Sequence, residues 1–157
     1  LPIIRKANGE QSMEREFFRN ILIATDGSIN SQRAAYYGVE IAKLSGASIY
    51  TLYVVDTPSM ISDTWTAGKE AIYEIIRKDG EKALSKVMSI GEASGVEIKK
   101  VILDGHPSTE IIDYAQNNNI DLIVMGTLGK TGLERFLMGS VAEKVVRGSK
   151  IPVMVVR

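Results

Sequence analysis

The segment DLIVMGTLGKTGLERFLMGSVAEKVV, residues 121–146, passes from a β-branched apolar run through a glycine-bearing stretch into a helical pattern. Asp121 to Gly126 reads as a strand, and Val141, Val145 and Val146 mark one face of a helix. Roughly a dozen residues separate the two, which is long for a strand-to-helix connection. Gly129-Lys130-Thr131 has the ending of a phosphate-binding P-loop, but the first glycine of that motif belongs at position 124, where a valine stands. Gly126, Gly129 and Gly132 recur as G-x-x-G-x-x-G, without the close first pair of a dinucleotide fingerprint. These glycines must serve a different arrangement.

Working outward, further β-branched runs bounded by turn residues occur at NILIATDG (20–27), SIYTLYVVD (48–56), EIKKVILDG (97–105) and IPVMVV (151–156). Helical periodicities lie between them. Ala34, Ala35, Val39 and Ala42 mark the first, and Ile72, Ile75, Ile76, Ala83, Leu84 and Val87 a long second. Ile111, Ile112 and Ala115 mark the third. Strand and helix therefore alternate from Asn20 to the end. The second and fourth strands are almost continuously apolar, as a parallel sheet covered on both faces requires, and each crossover is long enough for a right-handed helix. The expected fold is a doubly wound α/β sandwich with a five-stranded parallel sheet.

The 157 residues, 45% hydrophobic, suit one core. Residues 19–157 form the expected domain. Residues 1–18 are expected to be a flexible leader or a remnant of expression, since Met13 precedes the first convincing element. Nineteen basic residues balance nineteen acidic ones, so no overall field favours nucleic acid or an anionic membrane. The absence of cysteine removes thiolate chemistry, and the single histidine, His106, excludes a multi-histidine metal centre. No apolar run approaches the roughly 18 residues that cross a bilayer, and the opening LPIIRKANGEQS lacks a signal-peptide core, so a cytoplasmic protein is expected. The connection TPSMISDTWTAG, 57–68, is the other long irregular one; Met60 and Trp65 suit either a lid or ordinary packing.

Ligands of such sheets bind beyond the carboxyl ends of the strands, where strand order reverses. ATDGS (24–28) ends the first strand and MGTLG (125–129) follows the fourth, so both share a crevice if those strands are neighbours. Gly139-Ser140 opens the last helix, whose unpaired N–H groups and positive dipole end favour an anion. Gly126 and Gly129 would admit close backbone approach, and Asp26 on the opposite wall can accept from ribose hydroxyls. A plainly structural reading is also open: Asp26-Gly27 is a common turn pair, and Ser140 with Glu143 three residues on matches a capping box.

Gly126, two residues, Gly129, nine residues, then Gly139-Ser140 together match G-2x-G-9x-G-(S/T), which is similar to the signature of the ATP-binding universal stress proteins. ATDGS, YVVD (53–56), DGHP (104–107) and the terminal PVMVV also resemble that family, over nearly all of residues 19–157. The resemblance implies an adenine-nucleotide alpha-hydrolase-like fold with strand order 3-2-1-4-5. It implies ATP in the crevice, with Thr25 and Asp26 near adenine and ribose and the Val54 backbone against adenine. Met125 would line the pocket, while Gly126, Leu128, Gly129, Gly139, Ser140 and Val141 would hold ribose and phosphates, bridged by Mg²⁺ or Mn²⁺. At Leu128 many relatives carry histidine; leucine keeps the backbone amide and loses a side-chain contact. The family order also places the uncharged strand 151–156 at a sheet edge, which implies a homodimer through that strand, with Leu133, Phe136 and Leu137 nearby.

Three function classes follow: a nucleotide-dependent regulatory switch in stress response, read by an unknown protein partner; a slow ATPase or phosphotransferase; and a dimeric interaction module without nucleotide. Binding features are plentiful, whereas hydrolysis would require an electrostatic clamp such as Lys130 or Arg135 and a water-positioning group such as His106, Asp26 or Asp104. The switch is therefore the expectation, and no catalytic residue is assigned.

Overall fold

The computed structural model describes residues 4–7, 10–13, 18–60, 68–128 and 138–157. The strands β1 (Ile4–Ala7) and β2 (Glu10–Met13) pair antiparallel as a small hairpin, Ile4 opposite Met13. It lies within the segment set apart above from the domain.

Five parallel strands then build the main sheet: β3 (Asn20–Ala24), β4 (Ser48–Asp56), β5 (Ile98–Gly105), β6 (Leu122–Gly126) and β7 (Val153–Val156), in the order β5-β4-β3-β6-β7. Counted within the sheet this is 3-2-1-4-5, as the resemblance implied. The central strand β3 buries Ile21, Leu22 and Ile23 completely, each facing helices on one side or the other. Burial of one such side chain is worth about 1.5–3 kcal/mol.

The helices are α1 (Ile29–Ser45), a single turn α2 (Thr57–Met60), α3 (Lys69–Ala93), α4 (Pro107–Asn117) and α5 (Ser140–Gly148). The stretch read as wholly irregular from residue 57 therefore begins helically; Trp65 lies outside the described residues. Ala34, Ala35, Val39 and Ala42 of α1 and Val87 of α3 cover one face of the sheet, against Ile21, Ile23 and Val124. Ile111 and Ala115 of α4, with Ala142 and Val145 of α5, cover the other against Leu22, Leu52, Ile123 and Met125. No described helix is long and apolar enough to cross a membrane.

Two expectations about helix faces fail. Ile72 and Ile75 are 50% and 61% exposed, while α3 buries Gly80, Ala83, Leu84, Val87, Ile90 and Gly91. The face of α3 that meets the sheet runs through Tyr73, Ile76, Gly80, Ala83, Leu84 and Val87, so Ile72 and Ile75 lie to its solvent side. In α5, Ala142 takes the core position and Val146 turns outward.

The neighbours β3 and β6 are joined below the site by one side chain. Asp121 Oδ2 accepts from the backbone N–H groups of Arg19 and Asn20, both at 2.9 Å, and the Asp121 N–H donates to the Asn20 carbonyl at 2.8 Å. Asp121→Ala strands two donors and removes two bonds to a charged acceptor, so it is expected to cost about 1.5–3 kcal/mol. Asp121→Asn, which keeps an acceptor oxygen, is expected to cost less. Urea denaturation with an unchanged m-value measures both.

Candidate functional site

Chains leaving β3 and β6 part to opposite faces of the sheet, since α1 packs on one side and α5 on the other. Between them opens a cavity of about 360 Å³ at the carboxyl ends of the strands. Leu52, Val54, Ile111, Met125 and Ala142 give it an apolar floor, while Thr25, Asp26, Thr127 and Ser140 bring polar groups to its rim.

The turn after β3 is built by its own side chains. Gly27 takes φ 81°, which ends the strand at Ala24 rather than at residue 27. Asp26 Oδ1 accepts from the Ser28 N–H at 2.9 Å, closing the turn, and the Ser28 side chain accepts from the Ser31 N–H at 3.2 Å as the N-cap of α1. Asp26 therefore holds the cap residue and is not itself the cap. Ser31 Oγ donates to the Ser28 carbonyl at 2.9 Å. Its one proton is thereby used, so the 3.0 Å contact with Thr25 Oγ1 must take its proton from Thr25. Thr25 Oγ1 in turn accepts from the Gly27 N–H at 3.2 Å, and the Thr25 N–H donates to the Leu52 carbonyl at 3.0 Å. The buried hydroxyls of Thr25 and Ser31 thus stiffen the wall.

Opposite this turn, Gly126 ends β6. A Cβ there would stand 2.9 Å from the Asn30 carbonyl carbon and 3.0 Å from the Ser31 nitrogen, in the first turn of α1. Its close approach is to a helix backbone as well as to the cavity it lines. Beyond it, Thr127 donates its N–H to the Val156 carbonyl at 2.8 Å and accepts from the Gly139 N–H at 2.6 Å. The two ends of the long connection are thereby tied together beside β7, and a 3.5 Å contact from Ser28 Oγ to the Leu128 carbonyl links it to the turn after β3.

Of the helices that start at this end of the sheet, α1, α4 and α5 contribute residues to the cavity, and they differ in what their own residues supply. The first turn of α1 is capped by Ser28. That of α4 has Pro107 at its first position, and the Glu110 carboxylate lies over Gly105 Cα, where an added Cβ would meet it. At α5 the cap is Gly139, φ −72° and ψ 162°, with no side-chain cap bond. The expected Ser140–Glu143 capping box does not form, because the helix starts one residue earlier than the box requires. Ser140 is already helical, and Glu143 turns away to Arg147 Nη2 at 3.0 Å. With the Gly139 N–H held by the Thr127 carbonyl, the first-turn N–H groups from Ser140 on have no capping side chain among the described residues, and the positive dipole end is worth about 0.3–1 kcal/mol to an anion.

Thr25, Asp26, Val54, Met125, Gly126, Leu128, Gly139, Ser140 and Val141 all line this cavity. Gly129, Lys130, Leu133, Arg135, Phe136 and Leu137 lie outside the described residues. His106 and Asp104 are not among the lining residues. His106 is the exposed N-cap of α4 without a side-chain cap bond, and Asp104 accepts from the Tyr73 hydroxyl, 3.1 Å to each oxygen. Leu52, Ile111 and Ala142 went unread as site residues because their only sequence signal is that of core positions. Asp56 and Pro107 were quoted only within the YVVD and DGHP motifs and given no role, and Ser31, inside α1, carried no signal. Tyr53, also on the cavity, has its phenol pKa raised by burial first and then by the Asp79 and Asp26 carboxylates, so it stays neutral.

Comparison with known proteins places this geometry. The family model described as the universal stress protein family matches residues 17–157. The universal stress protein MJ0531 of Methanocaldococcus jannaschii is 43% identical over 150 residues, covering 96% of this chain and 85% of its own. The solved structure of MJ0577, also from Methanocaldococcus jannaschii, superposes with a TM-score of 0.80 at 27% identity, over 89% of this chain and 96% of that one. A universal stress protein solved in complex with cAMP superposes with a TM-score of 0.61 at 27% identity, over 89% of this chain and 97% of that one. The fold is thus the adenine-nucleotide alpha-hydrolase-like one of these neighbours.

Because the Gly126 Cα abuts helix backbone that cannot swing aside, Gly126→Ala is expected to destabilise the ligand-free protein by about 1–3 kcal/mol. Thermal or urea unfolding without nucleotide checks this, and an unchanged midpoint would show that the α1 contact is slack.

Proposed function

The chain belongs to the universal stress protein family, and from that premise we propose that it binds ATP in this crevice and acts as a nucleotide-dependent regulator. One observation carries the reading: an uncapped α5 N-terminus stands beside a cavity with an apolar floor, so one site offers an anion-binding end and a slot for a flat base. The phosphates rest on the N–H groups of Ser140 and Val141, beside Gly139, whose own N–H is held by the Thr127 carbonyl and whose lack of a side chain leaves the helix mouth open. Adenine lies over Val54, Met125 and Leu52, and Asp26 accepts from the ribose. A carboxylate has lone pairs beyond the one facing Ser28, so its turn bond does not preclude this. The cAMP bound by a structural relative supports an adenine nucleotide as the ligand class. Among the described residues no group of three or more His, Asp or Glu could hold an ion alone, so Mg²⁺ or Mn²⁺ would be carried largely by the phosphates.

Regulation is favoured over hydrolysis because two of the three groups that could position a water, His106 and Asp104, do not line the cavity, and Asp104 is engaged by Tyr73. A cytoplasmic setting suits this role, with a protein partner that reads the bound state.

The valine backbone region is open to residue 139, whose φ is −72°, so Gly139→Val is compatible with folding while placing a branched side chain at the helix mouth. It is expected to reduce ATP affinity at least tenfold by calorimetry, that is by about 1.4 kcal/mol or more. Asp26→Ala should weaken ATP more than inorganic triphosphate, because only the former has a ribose. Unchanged ATP affinity in Gly139→Val would overturn the phosphate assignment, and steady phosphate release that depends on Mg²⁺ would favour the ATPase.

The sheet edges suggest how copies associate. Along β5 the exposed Lys99 and Lys100 guard the edge, whereas Val153–Val156 of β7 contains no charge. We propose a homodimer through residues 151–156. Ile123 N–H donates to the Pro152 carbonyl at 3.0 Å and Thr127 N–H to that of Val156, so the intervening odd positions turn their backbone groups to the open edge. Val155→Pro removes an outward donor and spares the β6 ladder. Light scattering at low micromolar concentration is expected to give a dimeric wild type and a monomeric Val155→Pro protein.

A further inference from the structure

The outer face of α1 carries large apolar residues that stand exposed among the described residues. Ile29 is 69% exposed, Tyr36 59%, Tyr37 49% and Leu44 89%. Arg33 and Glu40, both exposed, lie on the same face. At 100° per residue these positions fall within roughly 50° of one line along the helix, so they form a single stripe.

The order of residues along that stripe is symmetric about the midpoint between Tyr36 and Tyr37. Ile29 and Leu44 are equidistant from it, as are Arg33 and Glu40. An antiparallel copy of the helix, related by a two-fold axis through that midpoint, therefore places Ile29 against Leu44, Arg33 against Glu40 and tyrosine against tyrosine. Each apolar residue meets an apolar one and each charge meets its opposite, twice over. From this match we infer that the α1 face is a docking surface for a second copy of this chain, distinct from the β7 edge.

The energetics agree with such a contact. Arg33 has no ion-pair partner among the described residues, and Glu40 is held only by an exposed i,i+3 pair with Lys43 at 3.2 Å, so docking breaks no strong bond. Tyr and Arg are the residue types that anchor interfaces, and a tyrosine loses little rotamer freedom when it docks. Two helices packed at an axial separation of about 8–10 Å over some 22 Å of length make a small interface, so the association is weak, on the order of micromolar or weaker. Two different two-fold contacts on one chain close into a tetramer when their axes intersect at right angles; other angles give larger closed assemblies or open chains.

Charge reversal tests the inference, on the Val155→Pro protein so that edge pairing does not contribute. At roughly 100 µM it is expected to sediment with a substantial dimer fraction. Adding Arg33→Glu, or adding Glu40→Arg, should weaken that dimer at least about tenfold, because each puts like charges face to face at two places. Adding both should restore it. As an arm independent of Val155→Pro, Tyr37→Cys in the otherwise unaltered chain, which has no other cysteine, should form an oxidised dimer on a non-reducing gel. That product should exceed the one from Ser85→Cys on the exposed side of α3, and should respond to the same reversals. Dimerisation indifferent to the reversals, or Tyr37→Cys linking no faster than Ser85→Cys, would overturn the proposal. Neither result depends on nucleotide or on whether the edge dimer forms.

Discussion

Everything at the ligand end of this protein depends on β3 and β6 lying side by side. The contact is secured from both ends of the strands. Below, the Asp121 carboxylate gathers the N–H groups of Arg19 and Asn20. Above, the missing Cβ at Gly126 lets the first turn of α1 settle against the end of β6. Because the chains then diverge to opposite faces, a crevice is unavoidable, and Thr25, Asp26, Gly126 and the α5 N-terminus must share it. A larger residue at 126 would push α1 away and carry Ser28 and Ser31 with it, so the same glycine positions the wall and shapes the cavity.

The chain has no net charge, yet it presents a site suited to an anion. The resolution is local. At α1 the Ser28 side chain takes the Ser31 N–H, whereas at α5 the cap is a glycine with no side chain to offer, and the N–H groups of Ser140 and Val141 have no such capping partner among the described residues. Glu143 could have served the α5 donors, but its pairing with Arg147 one turn later draws it along the helix surface. The oriented hydroxyl chain from Thr25 through Ser31 to the Ser28 carbonyl fixes the opposite wall without adding charge to it.

Exposed surface carries its own pattern. The charged edge strand β5 and the uncharged β7 bound one sheet, and the apolar side chains on the outside of α1 are more exposed than packing within one chain would leave them. Both features lie away from the cavity floor, so association between copies and nucleotide binding draw on different residues. They adjoin at the first turn of α1, where Ile29 follows Ser28, and along β7, whose Val156 carbonyl accepts from the Thr127 N–H.

The sequence by itself determined the alternation of strands and helices, the parallel sheet and the end of the sheet where a ligand would bind. Those conclusions rest on local periodicity and turn chemistry, as in the buried run Ile21-Leu22-Ile23 and the long connection after Gly126. Asp26 and Gly139 followed from their places after a strand and at a helix start, while Thr25, Val54 and Met125 came as cavity residues through the family resemblance. Only the tertiary structure decided the frame of the α5 cap, which moved Ser140 and Glu143 out of a capping box; a shift of one residue changes every capping role, yet leaves the hydrophobic pattern almost intact. The packing of Gly126 against Asn30 and Ser31 was likewise hidden, because the partners are about a hundred positions apart in the chain. Ile72 and Ile75 are apolar and helical yet face outward, because the face of α3 that packs on the sheet runs through Tyr73, Ile76, Gly80 and Leu84, and a run rich in apolar residues does not by itself say which side of the helix the sheet will take.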